Sequence, residues 1–103
     1  MKKLTILFLA LALNANAGDV EKGKMKFEGF GCNSCHGNAG IGIAPQYPNL
    51  AGLDSAYIIK QLKDFQSGTR VDPTMNAMAP MTAGHEDDIA SYLETLLSEW
   101  NRV

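Results

Sequence analysis

A chain of 103 residues is too short to support two separate cores, so a single domain is expected. Its net charge is −2 at pH 7, and loss of the basic start described below leaves seven basic residues against eleven acidic ones, a net charge of −4. That balance argues against nucleic acid and anionic membrane surfaces as partners and favours proteins with a basic docking patch.

The chain opens with Met1-Lys2-Lys3, an apolar stretch over residues 4–13 and the small-residue signal Ala15-Asn16-Ala17. Together these read as a secretory signal peptide over residues 1–17, which leaves a domain over residues 18–103 and a periplasmic address. The apolar stretch is well short of the ~20 residues a spanning helix needs, so no stable membrane insertion is expected after cleavage. The remaining 86 residues are a size at which side chains alone make a marginal core.

Asp19 is a good helix cap, and Val20, Gly23 and Phe27 follow at helical spacing, which predicts a short helix ending near Gly29. Gly23 inside it costs about 1 kcal/mol against alanine and points to a close approach by another helix.

The chemistry sits in Cys32-Asn33-Ser34-Cys35-His36. Two thiols three positions apart can each add across a vinyl group of one protoporphyrin ring, and the histidine that follows then reaches the iron. Cys32 and Cys35 are the expected covalent anchors of one haem c, and His36 its proximal iron ligand. A redox-active dithiol would need a preceding strand, whereas residues 26–31 carry lysine, phenylalanine and glycine. A closed zinc site needs four ligands, and the only cysteines and histidines are Cys32, Cys35, His36 and His85, two of them adjacent.

Residues 37–52 hold four glycines and two prolines, too many breakers for a regular element, and are expected to wrap one side of the haem as a loop. Asp54 or Ser55 caps a second helix with Ile58, Ile59, Leu62 and Phe65 on its apolar face, Lys60, Lys63 and Asp64 on its wet one, and Gly68 as its stop. Residues 69–84 contain Pro73 and Pro80 and are expected to be an irregular segment carrying Met75, Met78 and Met81. The final helix has the strongest period: Ile89, Tyr92, Leu93, Leu96, Leu97 and Trp100 behind the acidic first turn Glu86-Asp87-Asp88. No stretch alternates as a strand, so the fold class is all-α.

The distal face of the haem decides what it does. A methionine sulfur closes the site and makes an electron-transfer centre, whereas an open position permits ligand binding or peroxide chemistry. Any of the three methionines could lie over that face, and spacing alone does not choose among them. His85 is a rival ligand, but at the start of an acidic helix it reads as a solvated histidine.

These residues resemble the class I cytochromes c, and within them the small periplasmic electron carriers. The likeness runs from Gly23 and Phe27 through Cys32 to Gly37, then Tyr47-Pro48-Asn49-Leu50-Ala51-Gly52, Tyr57, Gln61, Leu62, Phe65, Gly68, Arg70 and Ile89-Ala90-Ser91-Tyr92-Leu93. It implies three to four helices wrapped around one covalent haem, with the first and last helices crossing where Gly23 admits Tyr92. It also implies that the Pro48 carbonyl accepts the second ring N–H of His36, and that Arg70 pairs with a haem propionate. Met75-Asn76-Ala77-Met78-Ala79 best fits the family's pattern around the axial methionine. Met75 is therefore the favoured distal ligand, with Met78 and Met81 as alternatives. Residues 82–85 depart from the family in lacking its usual helix cap, and Trp100 stands at the chain's end, where it is expected to pack on the core.

The function expected from this is a mono-haem cytochrome that carries single electrons between periplasmic redox proteins and is not itself an enzyme. The alternatives are a haem subunit of a larger oxidoreductase, such as a flavin or sulfur-oxidising complex, and a haem peroxidase or ligand sensor.

Overall fold

The computed structural model describes residues 18–100, with side chains as far as residue 96. The expected signal peptide over residues 1–17 and the core packing of Leu97 and Trp100 lie outside the described residues. Among the described residues five helices follow in order: α1 Val20–Gly29, α2 Asn33–His36, α3 Ser55–Ser67, α4 Pro73–Met78 and α5 Glu86–Trp100, with a 3-10 turn, Ala79–Thr82, between the last two. Among the described residues there is no strand, and no helix is long and apolar enough to cross a membrane.

Helix α1 starts where its cap dictates: the Asp19 carboxylate accepts from the Lys22 backbone N–H. It packs across α5 at Gly23, where a Cβ would stand 1.9 Å from the Asp88 carbonyl oxygen and 2.8 Å from Tyr92 Cβ. No other residue type fits there without parting the helices. Just beyond, the Phe27 and Tyr92 rings meet at 5.8 Å and 55°. Asp88 closes the crossing by accepting from the Asp19 N–H at 2.8 Å and from Lys26 Nζ at 3.0 Å. The core that results joins Phe27, Ile58, Ile89, Ala90, Tyr92, Leu93 and Leu96 from α1, α3 and α5.

Helix α3 is capped by Asp54, whose carboxylate accepts from the Tyr57 N–H, and ends at Gly68 in the left-handed region at φ 82°. Ile58 and Phe65 are buried, Ile59 and Leu62 half-buried, and Lys60 and Lys63 exposed, as the periodicity requires.

Residues 69–84 are more regular than their prolines suggested. Pro73 occupies the start of α4, where its missing N–H has no helical acceptor to lose and its fixed φ suits the first turn. Asp72 caps the helix, its carboxylate accepting from the Thr74 and Met75 N–H groups at 3.0 and 3.1 Å. Pro80 ends the α-helix and opens the 3-10 turn. At the start of α5, Glu86 reaches back so that its Oε1 accepts from the Gly84 N–H at 2.9 Å.

Candidate functional site

The loop over residues 37–52 folds back on itself through its own backbone. The Gly40 carbonyl accepts from the Leu50 and Ala51 N–H groups, the Ile43 N–H bonds the Cys35 carbonyl, and Asn49 Oδ1 takes the Gly42 N–H. Gly37 turns the chain out of α2 with φ 82° and ψ 155°, a conformation essentially confined to glycine. The loop thereby brings the Pro48 carbonyl to 2.9 Å from His36 Nδ1. A carbonyl can only accept, so Nδ1 carries the proton and Nε2 keeps its lone pair for a metal. The ring is 7% exposed.

His36 and Cys32 both border two adjoining clefts of about 390 and 270 Å³, the larger within the roughly 300–1,000 Å³ range of cofactor sites. Cys35 lines the larger one. The two cysteines are half-buried and are not joined in a disulfide; burial pushes the Cys32 thiol above its ordinary value, partly offset by a backbone hydrogen bond. The inner cleft runs down to the core at Phe27, Ile58 and Leu93. An apolar slot with two thiols, one imidazole nitrogen and a thioether on its walls is a donor set that fits a covalent haem.

Met75 borders both clefts, whereas Met78 and Met81 border only the larger one. Met75 and Met78 are half-buried, and Met81 is 46% exposed. At the other end Arg70 lines the inner cleft with Tyr57 and Gln61. Its guanidinium lies 4.8 Å over the Phe65 ring and donates to Gln61 Oε1, so the charge is held against the cleft wall despite being exposed.

His85 differs from its expected solvated state. It is half-buried, its ring is 5.6 Å from that of Phe30, and its buried Nδ1 has no hydrogen-bond partner among the described residues. It borders neither cleft. Sequence reasoning gave no role to Gln66 and Asn76. Their side-chain amides tie α4 and the 3-10 turn to α3, and nothing in their spacing announces it.

Comparison with known proteins agrees with this geometry. Residues 20–97 match the cytochrome c family. The chain is 39% identical over 80 residues to cytochrome c-554(548) of Halomonas halodenitrificans, covering 74% of this chain and 94% of that one. It is 37% identical over 94 residues to a thiosulfate dehydrogenase electron acceptor of Stutzerimonas stutzeri, covering 85% of this chain but 44% of that protein. The solved cytochrome c4 of Acidithiobacillus ferrooxidans superimposes with a TM-score of 0.69 at 36% identity, over 78% of this chain and 51% of the other. The chain thus spans about half the length of the two larger relatives. Family match, helical architecture and cleft converge: the chain belongs to the cytochrome c family, as a small class I c-type cytochrome that binds haem c covalently.

Proposed function

We propose that Cys32 and Cys35 carry the thioether bonds to the haem, that His36 is the proximal iron ligand and that Met75 is the distal one. The bond between His36 Nδ1 and the Pro48 carbonyl carries this reading, because it presents Nε2 to the slot the two thiols share. Met75 is preferred because it alone of the three methionines borders both clefts. Arg70, steadied by Gln61 and Phe65, is placed to meet a propionate at the inner cleft.

The haem supplies a one-electron ferrous–ferric couple. The chain's part is to fix the two ligands and keep water out. Pro48 holds the His36 ring in one orientation and one tautomer, and the apolar inner cleft excludes solvent, so little rearrangement accompanies a change of charge. No catalytic residue is required.

The proposed role is single-electron transfer between periplasmic redox proteins after removal of residues 1–17. Docking is brief and steered toward basic partners by the negative charge of the mature chain. Rates with a basic partner should fall as salt rises, and flat rates would reject the steering. Similarity to a thiosulfate dehydrogenase electron acceptor favours a second reading, in which the protein stays bound to a sulfur-oxidising enzyme. Size-exclusion of native extract separates the two: a permanent subunit elutes with its enzyme, a shuttle alone.

The ligand assignment is tested by absorption spectra of Met75→Ala, Met78→Ala and Met81→Ala. The weak red band of a sulfur-ligated ferric haem should vanish in Met75→Ala only. Its survival there, with loss in Met78→Ala or Met81→Ala, moves the ligand to that residue.

A further inference from the structure

Helix α4 and the turn after it carry all three candidate methionines, and two side-chain amides fasten them to α3. Asn76 stands between Met75 and Met78. Its Nδ2 donates to the Phe65 carbonyl at 2.9 Å, in the last turn of α3 where carbonyls lack helical partners, and to the Arg70 carbonyl at 3.0 Å, three residues past the helix end. Its Oδ1 accepts from the Asp72 N–H at 2.8 Å, so both amide hydrogens and the amide oxygen hold the segment.

Gln66 works from the opposite direction. From α3 its Nε2 faces three acceptors: the Ala79 carbonyl at 3.2 Å, Thr82 Oγ1 at 3.1 Å and Glu86 Oε2 at 3.0 Å. Two amide hydrogens are shared among them. Thr82 spends its own hydrogen on the Ala79 carbonyl at 2.7 Å, which leaves its lone pairs for Gln66. Ala79, Thr82 and Glu86 are all buried, so these acceptors have little recourse to water if the amide is removed. Neither Gln66 nor Asn76 borders the clefts. Whatever they do for the haem is done through the segment they hold.

We propose that Gln66 and Asn76 are positioning residues whose amides clamp the methionine-bearing segment in place and so keep the distal sulfur from being displaced by other ligands. This rests on the reading that the distal ligand is Met75, Met78 or Met81. A foreign ligand can enter only in the fraction of molecules whose segment has lifted, and its apparent affinity scales with that fraction. Loss of one clamp should therefore appear as tighter binding of the intruder.

The test is titration of the ferric holoprotein with imidazole, followed by the red band. Gln66→Leu and Asn76→Leu should each bind imidazole about tenfold more tightly than the parent, the size expected for one buried amide anchor. Gln66→Glu should behave alike, since a carboxylate cannot donate and would face Glu86. Asp88→Ala, which opens the α1–α5 crossing instead, should lower thermal stability and leave imidazole affinity unchanged. If Gln66→Leu does not accumulate as holoprotein, Gln66→Met keeps the shape without the amide. Parental affinity in the Gln66 and Asn76 variants, or a gain no larger than in Asp88→Ala, overturns the clamp. Retention of the red band in all three methionine variants overturns the ligand reading instead, so the two failures are distinct.

Discussion

The two walls of the cleft are built by different means. On the His36 side the proposed ligand adjoins its proposed covalent anchors in sequence, and a loop held by backbone hydrogen bonds and glycine conformations brings Pro48 to the imidazole. On the methionine side the segment is a short helix and a 3-10 turn, fastened to α3 by the amides of Asn76 and Gln66. One wall is held by backbone hydrogen bonds within a single loop and the other by side-chain amides that bridge separate helices. The first should therefore fail abruptly when broken and the second by degrees.

The largest effect should come from breaking the His36 wall at its anchors. With Cys32→Ala and Cys35→Ala combined, the polypeptide should lose its pigment into acidified acetone. Without the buried porphyrin its far-ultraviolet circular dichroism should show little helix, because a chain of this size has a marginal core. A native helical spectrum from the colourless protein would mean that the core folds unaided.

Next in size is a comparison of two glycines with the same φ of 82°. At Gly37 an added Cβ would lie 2.0 Å from the Ile41 carbonyl oxygen, whereas at Gly68 it meets nothing within 4 Å. Gly68→Ala should cost only the left-handed backbone penalty, roughly 1–2 kcal/mol. Gly37→Ala adds a clash with backbone and should cost about 4 kcal/mol or more, with loss of the His36–Pro48 geometry. Thermal unfolding of the two holoproteins measures the gap, and equal losses would show that the loop yields more easily than its bonds imply.

Acid should weaken both the methionine side and the helix crossing. For Glu86, burial alone would raise the pKa. The hydrogen bonds from Gln66 and from the backbone N–H groups of Glu86 and Gly84, with the Lys63 charge, outweigh it and hold the carboxyl below its ordinary 4.5. The Asp19 N–H and Lys26 likewise hold Asp88 below 3.8. Each folded pKa lies below its unfolded value, so each carboxylate's stabilisation is complete above that unfolded value and is lost as pH falls through the folded one. Glu86→Gln should flatten the decline of stability below pH 4.5, measured by denaturant unfolding across that range. An unchanged slope would remove Glu86 from the account. The smallest effect should be Lys60→Ala, which deletes the exposed i,i+4 pair with Asp64 and should cost about 0.3–0.5 kcal/mol on either scale.

This contrast also explains what could be read from the sequence. The caps at Asp19 and Asp54, the stop at Gly68 and the Gly23–Tyr92 crossing are local signals or small-residue gaps, and each is where it was expected. The CxxCH stretch carries its chemistry in consecutive residues. The methionine segment was expected to be irregular because proline breaks helices, yet Pro73 starts one and Pro80 begins the tighter turn that follows. His85 was expected in solvent because its neighbours in sequence are polar, but Phe30, 55 positions earlier, covers it. Gln66 and Asn76 look like ordinary helix-surface residues until the fold shows which carbonyls and hydroxyls they face.

Gly18 has one more role to account for. A methyl group there would stand 2.2 Å from the Asp87 carbonyl oxygen and 2.5 Å from Ser91 Oγ. If the leader is cut just before it, position 18 is selected twice, by a peptidase that favours small residues at the cut and by a helix with no space for anything larger. The Asp19 N–H already donates to the Asp88 carboxylate, so a cut at that point would set the new ammonium group one residue from an acidic side chain of α5.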